Sequence, residues 1–364
     1  MAAPAVAVLM PVHNGETFLR TTIESVLAQT WQDFELLIVD DGSTDNSAAV
    51  ARGYQDSRVR IERFEQNRGL SAALNHGLQM TAAPLVARQD ADDVSRPDRL
   101  ATQLAVLRAH PEIALVGSQA RAIDGAGRAI RMVRRPLEDL SIRWYALLDN
   151  PFIHTSVMFR RGAVLACGGF NAAFDPFSQD YALWWRIMQR HRVENLSEPL
   201  VDYRINPKSI MGRVDQGDEA PHRAKFEGIA RELVSRHVTE AYGKRGLSAD
   251  EALLMAGFLV GIDVQALPQF LAVFNRLLDW FEQEHAPVRS SRDFLRTLAR
   301  QYDAIAYRVR PPARSAALRT YGAALHRHPR LLTLLPWANV AVMTMLGRSG
   351  RVRLSRWREA LARA

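Results

Sequence analysis

Three carboxylates stand within four residues at Asp90-Ala91-Asp92-Asp93. Like charges this close repel one another unless a cation or strong hydrogen bonds compensate them. With no His or Cys beside them in the chain, an oxygen-rich donor set of this kind favours a hard ion, Mg²⁺ or Mn²⁺. Such ions keep waters and are held through one or two carboxylates plus a substrate diphosphate. Taken alone, the cluster also reads as a solvated acidic turn ahead of a helix capped by Ser95. Two more acids stand at similar junctions. Asp41 follows an apolar run in Val39-Asp40-Asp41-Gly42, and Asp180 precedes Tyr181-Ala182-Leu183-Trp184-Trp185. A carboxylate in the first turn of a helix contributes about 0.3 to 1 kcal/mol of stability and is aimed by the free N–H groups there.

The elements that must carry these acids alternate in a regular way. Apolar runs at Ala5 to Met10, Phe34 to Val39, Arg58 to Phe64 and Pro84 to Ala87 predict strands. Helical patterning separates them at Glu16 to Gln29, through Val50 after the capping run Ser43-Thr44-Asp45, and at Leu70 to Met80. This is the rhythm of βα units around a mostly parallel sheet, an α/β fold class. A helix over Arg96 to Ala109 is expected to be opened by Ser95 with Pro97 in its first turn. Strands at Ile113 to Gly117 and Ser156 to Phe159, a turn at Asp124-Gly125 and a helix over Tyr181 to Gln189 follow. Every polar cluster falls where a strand ends, and in open α/β sheets that edge is where ligands bind. The pattern stops at Asn206-Pro207, so a domain boundary is placed near residue 212. Residues 1–212 form one expected domain and 213–364 a helical one.

Five segments at this edge together resemble family 2 glycosyltransferases of the GT-A nucleotide-diphospho-sugar transferase fold. They are PVHNGETFLRTTIESVLAQTWQDFELLIVDDGSTDNS, QNRGLSAALNHGL, ARQDADD, HTSVMFRRG and GGFNAAFDPFSQDYALWWRI, spread over about residues 4 to 210. The resemblance implies an inverting transfer of a sugar from a nucleoside diphosphate donor, with a UDP-sugar favoured, to an acceptor hydroxyl. It implies that Pro11, Val12, Asn14 and Glu16 line the nucleotide pocket. Asp41 would bond the base, accepting from the imide N–H of uracil or from the N1–H and amino group of guanine. Gly69 would let the backbone pass close to the nucleotide, while Arg68 and Arg88 would meet ribose or phosphate oxygens. Asp90, followed by the spacer Ala91, would contact ribose, and Asp92 would hold the divalent metal, Mn²⁺ or Mg²⁺. Asp93 is expected to turn to the protein.

By the same resemblance, Asp180 of Gln179-Asp180 is the base that takes the acceptor's proton, and His154 lies near the donor's sugar and diphosphate. Gln179 replaces the commoner Glu, which leaves single displacement intact. Trp184 and Trp185 could stack on a sugar, although their helical spacing with Ile187 and Met188 favours a core role for at least one. The acceptor is expected to be a saccharide or a lipid-linked saccharide in polysaccharide or glycolipid assembly.

Other classes fare less well. A Rossmann dehydrogenase needs G-x-G-x-x-G after the first strand, and Pro11 to Glu16 lacks it. A sugar nucleotidyltransferase wants a Gly-rich basic loop at that point. A non-catalytic nucleotide-sugar-binding protein would be expected to have lost acids at the motif positions. The two latter readings stay open as alternatives.

Composition narrows the partners. The 364 residues, 48% apolar and 24% charged, are those of an ordinary globular chain with room for two or three domains. The formal charge of +8 is unevenly placed, because Arg289 to Ala364 carries sixteen arginines and three acids, a net +13, against −5 for the rest. The main body is therefore not a nucleic-acid binder. The basic tail, with arginines 289, 292, 296 and 300 at helical spacing and a cluster from Arg348 to Arg358, suits an anionic membrane surface or a partner subunit, including a homo-oligomer. The single Cys167 excludes an intrachain disulfide. The N-terminal segment reads as a strand, not a signal peptide, and no run reaches the 18 or so apolar residues of a spanning helix. The expected location is cytoplasmic, with peripheral attachment to the inner face of the membrane as an option.

Overall fold

The structure, a computed structural model, describes residues 3–206, 220–310, 314–328 and 331. The boundary placed near residue 212 lies outside the described residues, as do the apolar run after Leu331 and the arginines from 348 to 358.

The first strand, β1 (Val6–Val12), is buried at all seven positions, as a strand covered on both faces by helices must be. Around it come α1 (Glu16–Leu27), β2 (Phe34–Asp40), α2 (Ser47–Arg52), β3 (Val59–Arg63), α3 (Leu70–Met80) and β4 (Leu85–Arg88). Then follow β5 (Val94–Ser95), α4 (Arg99–Ala109), β6 (Ile113–Ile123), β7 (Ala129–Val133) and α5 (Asp139–Tyr145). A 3₁₀ turn over His154–Ser156 leads to β8 (Met158–Arg160), α6 (Arg161–Ala166), α7 (Gln179–Met188) and β9 (Arg192–Arg204). The sheet order is β3-β2-β1-β4-β8-β6-β9-β5, with β7 on β6. β1 pairs in parallel with β2 and β4, and β2 with β3, while β8 runs antiparallel between β4 and β6. Val6, Val8 and Met10 pack with Leu19, Ile23 and Val26 of α1 and with Leu100, Leu104 and Leu107 of α4. Each such side chain contributes roughly 1.5–3 kcal/mol when fully buried.

One expectation is corrected, and one strand was not foreseen. Ser95 does not cap a helix. It lies in β5, paired antiparallel with Val201 of β9, and α4 starts only at Arg99 after Asp98. The backbone of Arg96 is likewise engaged, its N–H donating to the Leu200 carbonyl, so the chain is held extended past the expected start. Helix patterning also gave no sign of β9, a 13-residue strand that pairs in parallel with β6 along most of its length.

The chain divides into two compact units. The sheet unit takes the described residues up to Ile142 and those from Asn150 to Ile229; the helical unit takes Arg143–Asp149 and those from Ala230 onward. The C-terminal elements are α8 (Ala220–Tyr242), α9 (Ala249–Met255), α10 (Gly257–Val260), α11 (Leu267–Glu284), α12 (Arg292–Arg308) and α13 (Arg314–Arg327). A two-residue parallel pair, β10 (Ile262–Asp263) with β11 (Val309–Arg310), interrupts the helices. The helical unit is built around Trp144, whose ring lies 5.5 Å from Phe274, 5.4 Å from Phe281 and 6.2 Å from Phe294. Its indole N–H donates to Gln301 Oε1, which settles the one polar atom this ring would otherwise bury unpaired. On α12, Arg292, Arg296 and Arg300 are exposed, while Phe294, Leu298, Tyr302 and Ile305 are buried. Among the described residues no helix is long and apolar enough to cross a membrane.

Candidate active site

The parallel register of β1 and β2 brings two loops together, with the Asp41 N–H donating to the Val12 carbonyl at 2.8 Å. Pro11 and Val12 are buried within β1. Asn14 takes a left-handed backbone, φ 52°, which asparagine tolerates better than most residues. Its Oδ1 accepts from the Thr44 N–H at 2.9 Å, and its own N–H donates to Ser43 Oγ at 3.0 Å. Glu16 Oε2 accepts from the Asn46 N–H and Nδ2, each at 2.9 Å. Asn14 and Glu16 thus clasp the loop after β1 to the loop after β2.

Asp41 is buried and bonded on both oxygens. Oδ1 accepts from the Arg68 N–H at 2.7 Å and Oδ2 from the Gly69 N–H at 3.0 Å. The two loops approach so closely that a Cβ on Gly42, at φ +67°, would lie 2.5 Å from the Gln66 carbonyl carbon. Only glycine fits both the backbone angle and the gap. Arg68 is exposed, with its guanidinium 4.6 Å from the centre of the Phe64 ring.

At the end of β4 the acids gather with two cations. Arg88, 2% exposed, places Nη2 3.2 Å from Asp90 Oδ1, while its Nε and Nη1 are buried with no hydrogen-bond partner among the described residues. His154 Nε2 meets the other oxygen of Asp90. Burial works against the Asp90 carboxylate, but Arg88 and His154 outweigh it and hold the acid well below the usual range. Burial also disfavours a charged His154, yet the Asp90 carboxylate, with a smaller contribution from Asp180, raises the imidazole above its ordinary value. Asp93 is pushed well up by burial and by its neighbours Asp92 and Asp90; Oδ1 accepts from the Arg204 N–H at 2.7 Å and Oδ2 is buried with no hydrogen-bond partner. Burial and Asp90 raise Asp92 as well, and its Oδ2 lies 3.4 Å from Asn206 Nδ2. The Ala91 carbonyl accepts from the Thr22 hydroxyl, which ties this loop to α1.

Ligand atoms of Asp90, Asp93 and His154 all lie within 4.8 Å of one another, a set from which Asp92 is missing. The histidine that the acids lack in the chain is supplied by the pairing of β4 with β8, which follows the His154–Ser156 turn. Two carboxylates and an imidazole, with one buried carboxylate oxygen unpaired, suit a divalent cation of the Mn²⁺ or Mg²⁺ type.

Beneath the acids lies Arg99, 0% exposed. It donates to Gln103 Oε1, Gln89 Oε1, Ser95 Oγ and the carbonyls of Arg88 and Val157. Burial pulls its pKa down to about 10, against the opposing effect of Asp93 and Asp90, so it is charged at neutral pH.

Asp180 sits in the first turn of α7 and is 3% exposed. Its Oδ1 accepts from the Tyr181 N–H at 2.7 Å and its Oδ2 from Asn150 Nδ2 at 2.9 Å. Trp184, fully buried, has ring contacts with Phe152, Phe159 and Phe170, and Trp185 is also buried. Neither indole is placed to stack on a sugar, because the apolar side of α7 spends both on the core. Sequence reading missed Arg99, Arg204, Asn206 and Asn150. None belongs to a motif, and only the topology brings them to the acids.

A mostly parallel sheet flanked by helices, whose C-terminal edge collects a loop clasp, an acid–histidine cluster and a helix-borne carboxylate, is a fold of the GT-A type. Residues 7–168 match Glycosyl transferase family 2, and the chain belongs to that family. It is 34% identical over 212 residues to the amylovoran biosynthesis glycosyltransferase AmsE of Erwinia amylovora, a match covering 57% of this chain and 79% of that one. With the O-antigen biosynthesis glycosyltransferase WbnJ of Escherichia coli it shares 35% over 214 residues, 56% and 81% of the two chains. Among solved structures, TarS of S. aureus in complex with UDP superposes with a TM-score of 0.51 at 16% identity, over 89% of this chain and 91% of that one. The mannosyltransferase PcManGT of Pyrobaculum calidifontis, in complex with GDP-Man and Mn²⁺, gives 0.51 at 18%, over 90% and 89%. At these identities the two structures speak to the fold alone.

Proposed function

We propose that this glycosyltransferase moves a sugar from a nucleoside diphosphate sugar, with UDP as the favoured nucleotide, to a hydroxyl of a saccharide or lipid-linked saccharide acceptor, in the assembly of a polysaccharide or glycolipid. The observation that carries this reading is the convergence of Asp41, the Asp90–His154 cluster and Asp180 at one sheet edge. The names of the relatives, which concern amylovoran and O-antigen, support the acceptor class. A structural neighbour holding UDP-GlcNAc supports the donor class.

Each residue's share of the work follows from its chemistry. Both Asp41 oxygens already take a backbone N–H, yet each has a second acceptor position, enough for the imide N–H of uracil. Arg88, with two buried donors to spare, would meet ribose or diphosphate oxygens beside Asp90. A divalent cation at Asp92 and its neighbours Asp90, Asp93 and His154 would neutralise the diphosphate as it leaves. In the transfer the acceptor oxygen bonds to the anomeric carbon, its proton passes to Asp180, and the bond from that carbon to the diphosphate oxygen breaks, its electron pair leaving with the diphosphate. Attack opposite the leaving group inverts the anomeric centre.

Calorimetric titration of UDP into the protein with and without Mn²⁺ tests the donor site. Wild type should bind more tightly with Mn²⁺ present, and Asp92→Ala should lose about tenfold or more of that gain, as loss of metal-site partners does elsewhere. UDP affinity that ignores both Mn²⁺ and the Asp92 substitution would reject the metal-assisted donor site.

A further inference from the structure

We propose that Asn150 is a positioning residue for Asp180, its side-chain amide fixing the carboxylate that receives the acceptor's proton. The inference rests on Asp180 being the base.

The geometry defines the orientation of the amide. Asn150 Oδ1 accepts from the Phe152 N–H at 3.2 Å, and Nδ2 donates to Asp180 Oδ2 at 2.9 Å. A backbone N–H can only donate and an ionised carboxylate can only accept, so the flipped amide would fail at both ends. The carboxylate is therefore gripped from two directions, by the first turn of its own helix at Oδ1 and by Asn150 at Oδ2. Each oxygen still has an acceptor position for an incoming hydroxyl.

The segment that presents Asn150 is itself tightly held. Asn195 Nδ2 donates to the Pro136 carbonyl at 2.7 Å and to the Pro151 carbonyl at 3.0 Å. Phe152 is buried against Trp184, which belongs to the same helix as Asp180. β6 passes so close that a Cβ on Gly117 would lie 2.1 Å from Asn195 Oδ1 and 2.8 Å from Phe152 Cδ1. Four residues beyond Asn150, His154 meets Asp90. One short, braced segment thus reaches the base with a neutral donor and the donor-side acids with an imidazole. His154 is a titratable neighbour on the same segment, and its imidazole feels the Asp180 charge. A neutral amide at position 150 aims the carboxylate without adding a second group that competes for its proton.

Asn150→Asp separates positioning from structure, because a carboxylate of the same shape can still accept from the Phe152 N–H while it repels Asp180. The probe is UDP release, with water as acceptor, from whichever of UDP-glucose, UDP-galactose and UDP-GlcNAc the wild type turns over fastest. The expected result is a fall in kcat of about 10- to 100-fold with donor KM little changed. The acid limb of the kcat–pH profile should also move to higher pH, since a second negative charge favours the protonated acid. Asn150→Ala, which adds no charge, should lower kcat without that upward move. Wild-type kcat in either variant, or an unmoved acid limb in Asn150→Asp, overturns the role of Asn150. Should Asn150→Asp fail to fold, the kcat of Asn150→Ala decides alone. The reading of Asp180 has its own control, for an active Asp180→Asn would overturn the base assignment whatever the Asn150 variants do.

Discussion

Asp180→Asn is expected to lower the rate of sugar transfer by about 10²–10⁴-fold, the usual contribution of a general base, while leaving UDP affinity near that of the wild type. The substitution keeps the size and the burial of the side chain. An amide oxygen can still accept from the Tyr181 N–H or from Asn150 Nδ2, so α7 should keep its start. What the amide cannot do is take a proton from a hydroxyl at neutral pH. Asp41, Arg88 and Asp90 are untouched, so the donor should still bind. Steady-state UDP release and UDP calorimetry on the same preparation check both halves. If the variant loses UDP affinity and turnover together, Asp180 serves the donor site and not the acceptor's proton.

The second large effect is on stability. Arg99→Met should destabilise the fold by about 3–5 kcal/mol, the range found when one member of a buried charged network is removed. Five acceptors would lose a donor at once, among them the carbonyls of Arg88 and Val157 at the strand ends that bear the site. Asp90 and Asp93 would also lose the fixed positive charge beneath them. Arg99→Lys should recover only part of the loss, because an ammonium has three donors and cannot span the same acceptors. Denaturant unfolding monitored by tryptophan fluorescence checks this. A change below about 1 kcal/mol, the scale of an exposed ion pair, would mean that Arg99 is not holding the site together.

The parts of the molecule legible in the sequence are those written locally. The strands β1, β2 and β4 are apolar enough to announce themselves, and a carboxylate at the end of such a strand is conspicuous because desolvation makes it costly there. Asp41 and Asp90 stand out for that reason, Asp180 because it opens an apolar helix, and all three because their motifs occur in a known order. β9 is hidden by its own composition. RVENLSEPLVDYR carries five charged residues and Pro199, and its pairing with β6 shifts register around that proline, so no alternation survives. Ser95 misleads in the opposite way, since a serine before a proline and an apolar helix looks like a cap, and only β9 pulls it into the sheet. The residues that support the acids were illegible for a third reason. Arg99, Arg204 and Asn150 are ordinary residue types at ordinary positions, and each acquires its role from a partner that the topology delivers. The acid cluster shows both sides of this. Its carboxylates are adjacent in the chain, while the imidazole that completes it arrives with β8 from His154.

Turnover of a nucleoside diphosphate sugar by this chain can be measured directly. UDP or GDP release should be followed across a panel of UDP- and GDP-sugars, with Mn²⁺ present, using the full chain and a polyprenyl-linked or free saccharide as acceptor. Release is expected from at least one UDP-sugar, faster with an acceptor than with water alone and lost in Asp180→Asn. No binding and no release with any donor in the panel would contradict it.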